Sequence, residues 1–118
     1  MSDTPAKAEK NWEDLVNDYG LTPYNRRLAD KILNAYNQAI ALDHGDVADL
    51  LIQALKASIA HDKDNRNQGA LLKADLWQRF VSARNAYRSA RDKHDQQAPE
   101  VLAALDEMKN AYTAWSEA

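Results

Sequence analysis

Two stretches of this chain place apolar residues at spacings that alternate four and three, and that pattern limits the fold more than any other feature. Leu76, Phe80, Ala83, Tyr87, Ala90 and His94 lie on one side of one predicted helix, and Val101, Leu105, Met108, Tyr112 and Trp115 on one side of the next. Four-three alternation returns each side chain to the same helical face, so each helix has one face to bury. Pro99 opens the second helix only a few residues after the first ends, and a connection this short folds the pair back antiparallel. The expected layers are His94 against Val101, Ala90 against Leu105, Tyr87 against Met108, Ala83 against Tyr112, and Phe80 against Trp115.

The first half of the chain reads the same way from its starts and stops. Thr4-Pro5 caps and opens a short N-terminal helix over 5–19, with 1–4 expected to be disordered. Ala8, Trp12, Leu15, Val16 and Tyr19 share its apolar side, and Gly20 is its predicted stop. Thr22-Pro23 repeats the opening signal for a helix carrying Tyr24, Leu28, Ile32, Tyr36, Ala39 and Ile40 inward. His44-Gly45 is read as its end and Asp46 as the N-cap of a helix to Ala60. That helix is apolar around most of its circumference, with Asp49, Gln53 and Lys56 as a narrow polar stripe. The expected pairs here are Ala39 with Leu51, Tyr36 with Ala54, and Ala35 with Leu55. The triplet Asn-Ala-Tyr occurs at Asn34, Asn85 and Asn110, each time setting a large ring beside Ala on a helix seam. The period from Asn34 to Asn85 is near 51 rather than the 34 of a tetratricopeptide repeat, and Leu50 stands where that repeat has a small residue, so packing rather than repetition accounts for the likeness. The predicted fold is all-α and a single domain over 1–118. It is a bundle of two antiparallel helical hairpins, 22–60 and 70–116, joined by a polar loop at 61–69, plus the short N-terminal helix.

A chain of 118 residues, 45% of them hydrophobic, can bury a core without a metal or a disulfide. It contains no cysteine, which removes thiolate ligands, disulfides and Cys nucleophiles together and suits a cytoplasmic location. No apolar run reaches the length of a membrane span, so no membrane partner is expected. Gly20, Gly45 and Gly69 stand alone and build no phosphate loop. Motifs for a serine hydrolase, a zinc protease or a carboxylate-bridged di-iron centre are absent, so no catalytic residue, metal ligand or cofactor site is assigned. His44, His61 and His94 each adjoin an Asp, but neighbours in a helix diverge by about 100° and do not converge on one ligand. All three fall near predicted helix C-termini, where imidazole meets the negative end of the dipole, and are read as structural caps.

Two surfaces remain as functional candidates. Arg84, Arg88 and Arg91 form a stripe that Lys73 and Trp77 extend, the material for gripping phosphates and stacking a base. The net charge of −3 opposes a general polyanion binder, although 73–95 carries six basic residues against three acidic ones. The second candidate is apolar: Trp12, Leu15 and Tyr19 on the N-terminal helix, and Ile52 and Ile59 on a flank of the 47–60 helix. Monomers rarely expose large apolar patches, so these surfaces point to protein partners. The preferred function is a non-catalytic protein-binding module of regulatory, adaptor or inhibitor type. Nucleic-acid association through the Arg stripe is the alternative, and a structural homo-oligomer is the third reading. The N-terminal helix is expected to cover the bundle, with "NDYGLTP" as a joint that lets it swing.

Overall fold

The computed structural model describes residues 18–22, 27–62 and 69–118. They form four α-helices and no strand: α1 (Leu28–Ala41), α2 (Gly45–Ala60), α3 (Ala70–Lys93) and α4 (Pro99–Ser116). α2 folds back on α1 and α4 on α3, and the two hairpins meet where α1 packs on α3. The helices therefore follow the order α2, α1, α3, α4. The molecule measures 50 × 41 × 18 Å, and its shortest dimension is little more than one helix with its side chains, about 10–12 Å. Its radius of gyration of 16.0 Å exceeds the roughly 13.5 Å of a compact domain of this length. This is a flat layer rather than a round bundle. The predicted N-terminal helix and the residues Trp12 and Leu15 lie outside the described residues.

Each hairpin has its own core. Leu33, Tyr36, Ala39, Ala48 and Leu55 are buried between α1 and α2, with Ile52 and Ile59 packed against them, and Ala74 joins from α3. Trp77, Phe80, Val81, Ala83, Tyr87, Val101, Met108 and Ala111 fill the space between α3 and α4. Ile40 touches both cores. On α1 the inner face differs from the predicted one. Leu28 is 66% exposed, whereas Ala29 and Leu33, one residue further on, are buried. The expected layers Tyr36/Ala54 and Ala35/Leu55 do not form, because Ala35 and Ala54 face solvent. Ala39 and Leu51 do share the α1–α2 core.

α1 ends at Ala41, four residues before the expected glycine. Asp43 adopts φ 63°, the left-handed conformation that reverses the chain. The Asp43 N–H donates to the Ile40 carbonyl at 3.1 Å and the His44 N–H to the Ala39 carbonyl at 2.9 Å. This is the Schellman arrangement, with Asp in place of the usual Gly. Gly45 is not a stop but the first residue of α2, and Asp46 sits in that helix's first turn rather than at its N-cap, which is His44. His61 and His94 are C-cap residues of α2 and α3.

The antiparallel α3–α4 hairpin forms, but its upper layers are displaced by one helical turn. Tyr112 lies edge-on to Phe80, 5.5 Å between ring centres, and Trp115 meets Trp77 at 4.7 Å. The expected partners were Ala83 and Phe80. His94 closes no layer, being exposed at the end of α3, while Val101 is buried without it. Double-mutant analysis measures this register. Aromatic pairs of this geometry couple by about 0.5–1.5 kcal/mol beyond burial, so a Phe80/Tyr112 cycle should give a coupling in that range. A coupling of zero would restore the register with Ala83 opposite Tyr112.

Candidate functional site

The seam between α1 and α3 is where polar groups are buried. Trp77 is fully buried and donates its indole Nε1–H to the backbone carbonyl of Asn37 at 2.8 Å. Two turns further along α3, Arg84 donates from Nη2 to the carbonyl of Ala41 at 3.1 Å. That contact completes the C-terminus of α1. The last four carbonyls of a helix lack internal donors. Here Gln38 accepts from the Leu42 N–H, Ala39 from His44, Ile40 from Asp43, and Ala41 from Arg84. A guanidinium at that point also meets the negative end of the helix dipole. Because Asn37 pairs with Trp77 and Ala41 with Arg84, α1 and α3 run in the same direction.

An extended segment, Asp18–Thr22, lies in this seam. Asn37 donates from Nδ2 to the Gly20 carbonyl at 3.0 Å, and the Thr22 N–H and Oγ1 each lie 3.2 Å from Asn34 Oδ1. Thr22 thus sits beside Asn34 and Gly20 beside Asn37, so the segment runs antiparallel to α1. Asp18 turns the chain upstream by accepting from the Gly20 N–H at 2.9 Å. Gly20 is required twice over. Its φ of 70° is left-handed, and a Cβ there would stand 2.8 Å from the Trp77 ring and 2.9 Å from Asn37 Cβ. The residue read as a helix stop and part of a swinging joint is instead pinned. Asp18 and Tyr19 are not helical, so no helix reaches the predicted end at 19.

Two clefts flank the strap. Tyr19, Ala41, Leu42, Asp43, Arg84, Asn85 and Arg88 line one of about 390 Å³. On the other side, Leu21, Thr22, Lys73, Trp115 and the C-terminal residues line one of about 340 Å³. In the first, Arg84 is 3% exposed and held by Asn85 Oδ1, 3.2 Å from Nε and 3.0 Å from Nη2. Burial lowers the Arg84 pKa, the neighbouring Arg88 acts in the same sense, and Asp43 opposes both.

The predicted basic stripe is therefore divided. Trp77 has no exposed ring face on which a base could stack, and the Arg84 guanidinium is committed to α1. Lys73, Arg88 and Arg91 are half-exposed, with Arg91 lying over the Tyr87 ring, 5.2 Å from its centre. The two apolar candidates on α2 also sit differently. Ile52 and Ile59 are half-buried against α1, and the exposed apolar stripe of α2 lies elsewhere on the helix, at Val47, Leu50, Ala54 and Ala57. Tyr19 is 42% exposed at the first cleft. Asn37, missed by pattern reading, is the only fully buried amide among the described residues and the hub of the seam.

Gly20→Ala tests this arrangement. The methyl group meets a rigid buried indole and forces a left-handed alanine, so thermal or urea unfolding should show a loss of about 2–4 kcal/mol. A change below about 0.5 kcal/mol would place the strap outside the seam.

No family model, curated protein or solved structure matches this chain, and its functional reading rests on geometry.

Proposed function

We propose that this chain is a non-catalytic helical module that binds another protein through the outer face of α2. One observation carries the reading. α2 is an outer helix of a flat layer, packed along α1, and Val47 at 43% and Leu50 at 69% exposure remain in solvent beside the exposed Ala54 and Ala57. These positions follow three-four spacing and form one stripe. The small residues let a partner's backbone approach, and Leu50 supplies a side chain whose full burial is worth about 1.5–3 kcal/mol. An apolar helical stripe seated in a partner's groove is a common recognition mode. The role fits the regulatory, adaptor or inhibitor class expected from the sequence.

The layer architecture supports the same reading. Domains commonly bury their helices between two layers, whereas α2, at the edge of this layer, packs chiefly on α1. α4 at the opposite edge exposes Leu102 along with Glu100, Asp106 and Glu107, and is the more polar outer helix.

Leu50→Arg tests the proposal, with Leu72→Arg, at an exposed position on α3, as control. Leu50→Arg should abolish capture of the partner from native lysate and leave unfolding unchanged, whereas Leu72→Arg should preserve both capture and unfolding. Equal capture by both variants would remove α2 as the docking face. If purified wild type sediments as a dimer that Leu50→Arg dissociates, the partner is a second copy and the homo-oligomer reading holds.

A further inference from the structure

We propose that the partner of α2 is a second copy of the same chain, docked antiparallel about a two-fold axis near Gln53. This rests on α2 being the docking face, and adds the identity and direction of what covers it. Complementary size is the first argument. In an antiparallel pair centred at 52–53, Val47 of one copy meets Ala57 of the other and Leu50 meets Ala54, and the axis repeats both contacts. Every layer then sets a branched side chain against a methyl group, as interdigitating helix faces require. A parallel pair in register opposes Leu50 to Leu50 and Ala54 to Ala54, crowding one layer and emptying the next.

Charge is the second argument. Asp49, Gln53 and Lys56 are exposed along one flank of the stripe, at intervals of four and three. Asp49 and Lys56 stand about 10 Å apart along the helix, too far to pair with each other. In the antiparallel register, Asp49 of each copy comes level with Lys56 of the other, and Gln53 faces Gln53 at the centre. One axis thus matches large to small and acid to base. Asp46, the other exposed acid on α2, comes level with Ala60 and meets no second acid. A parallel pair opposes Asp49 to Asp49 and Lys56 to Lys56. The complement of α2 is therefore α2 reversed.

Position and size complete the argument. α2 lies at an edge of the layer, so two copies joined there continue the layer through the α2 pair. One pair of 16-residue helices, each about 24 Å long, covers less than the roughly 1,200 Å² at which standard interfaces begin. The dimer is accordingly weak and reversible, and is measured at high chain concentration.

Sedimentation velocity of the full chain, from about 10 μM to about 1 mM, tests this. Wild type should pass from monomer to dimer. Asp49→Lys and Lys56→Glu should each raise the dissociation constant at least about tenfold, since each turns both cross-axis attractions into repulsions. An equimolar mixture of the two variants, and the double variant Asp49→Lys/Lys56→Glu, should dimerise as wild type does. Because the chain has no cysteine, one introduced thiol reports direction without changing a charge. A short bismaleimide should join Gln53→Cys into a covalent dimer but not Ala60→Cys, whose copies stand about 20 Å apart. If a charge variant loses helix by circular dichroism, this cross-linking pair decides. A wild type that stays monomeric throughout overturns the proposal. So does a dimer indifferent to both charge reversals, a mixture that stays monomeric, or cross-linking that fails at Gln53→Cys or is equal at Ala60→Cys. A monomer whose Leu50→Arg variant still loses its lysate partner overturns the homodimer and keeps α2 as the docking face. A monomer with equal capture by Leu50→Arg and Leu72→Arg removes both.

Discussion

Two donors on α3 join the two hairpins. The Trp77 indole and the Arg84 guanidinium reach across to the Asn37 and Ala41 carbonyls, and the second bond meets a need on both sides. A buried indole N–H and a helix-terminal carbonyl are both costly when unpaired, by about 1–3 kcal/mol each. Separating the hairpins would leave the indole N–H and the Ala41 carbonyl to find water. The apolar contact between the hairpins runs through Ile40 and Ala41 of α1 and Ala70, Leu71 and Ala74 of α3. The polar bonds fix which turn of α3 faces which turn of α1, a specificity that apolar contact alone does not provide.

The strap depends on the same seam. Asn37 uses its backbone carbonyl for Trp77 and its side-chain Nδ2 for Gly20, so one residue holds both α3 and the extended segment. Its Oδ1 remains buried without a partner, a cost the rest of the seam must offset. Gly20 lies flat on the Trp77 ring because nothing larger fits. The exposed surfaces thus follow from one packing decision: α1 and α3 occupy the middle, and α2 is left at the edge with a bare apolar stripe.

Much of this architecture was legible in the sequence, for definite reasons. Helix class, both hairpins and the buried set Phe80, Ala83, Tyr87, Val101 and Met108 follow from four-three spacing, which is a property of helices and nothing else. The one-turn offset was not legible, because Leu76 and Trp77 are both apolar and adjacent. Spacing alone selected Leu76, and the tertiary hydrogen bond to Asn37 selects Trp77. Asn37 reads as a polar interruption until the strap, 17 residues away in sequence, supplies its partner. Arg84 reads as part of a surface stripe, since no local pattern reveals that an arginine will cap a different helix. Asp43 was passed over as a turn residue because Gly45, two positions later, is the commoner signal.

The Trp77 indole proton is the most direct probe of the central claim. In the folded protein it is buried and bonded to a helix carbonyl, so it exchanges only when α1 and α3 part. Measured by NMR against the backbone amides of α1 and α3, its exchange should be as slow as theirs, with a protection that falls together with global stability in urea. Exchange of that proton at the rate of a solvent-exposed indole, with the α3 amides still protected, would mean that the hairpins are not joined through this seam.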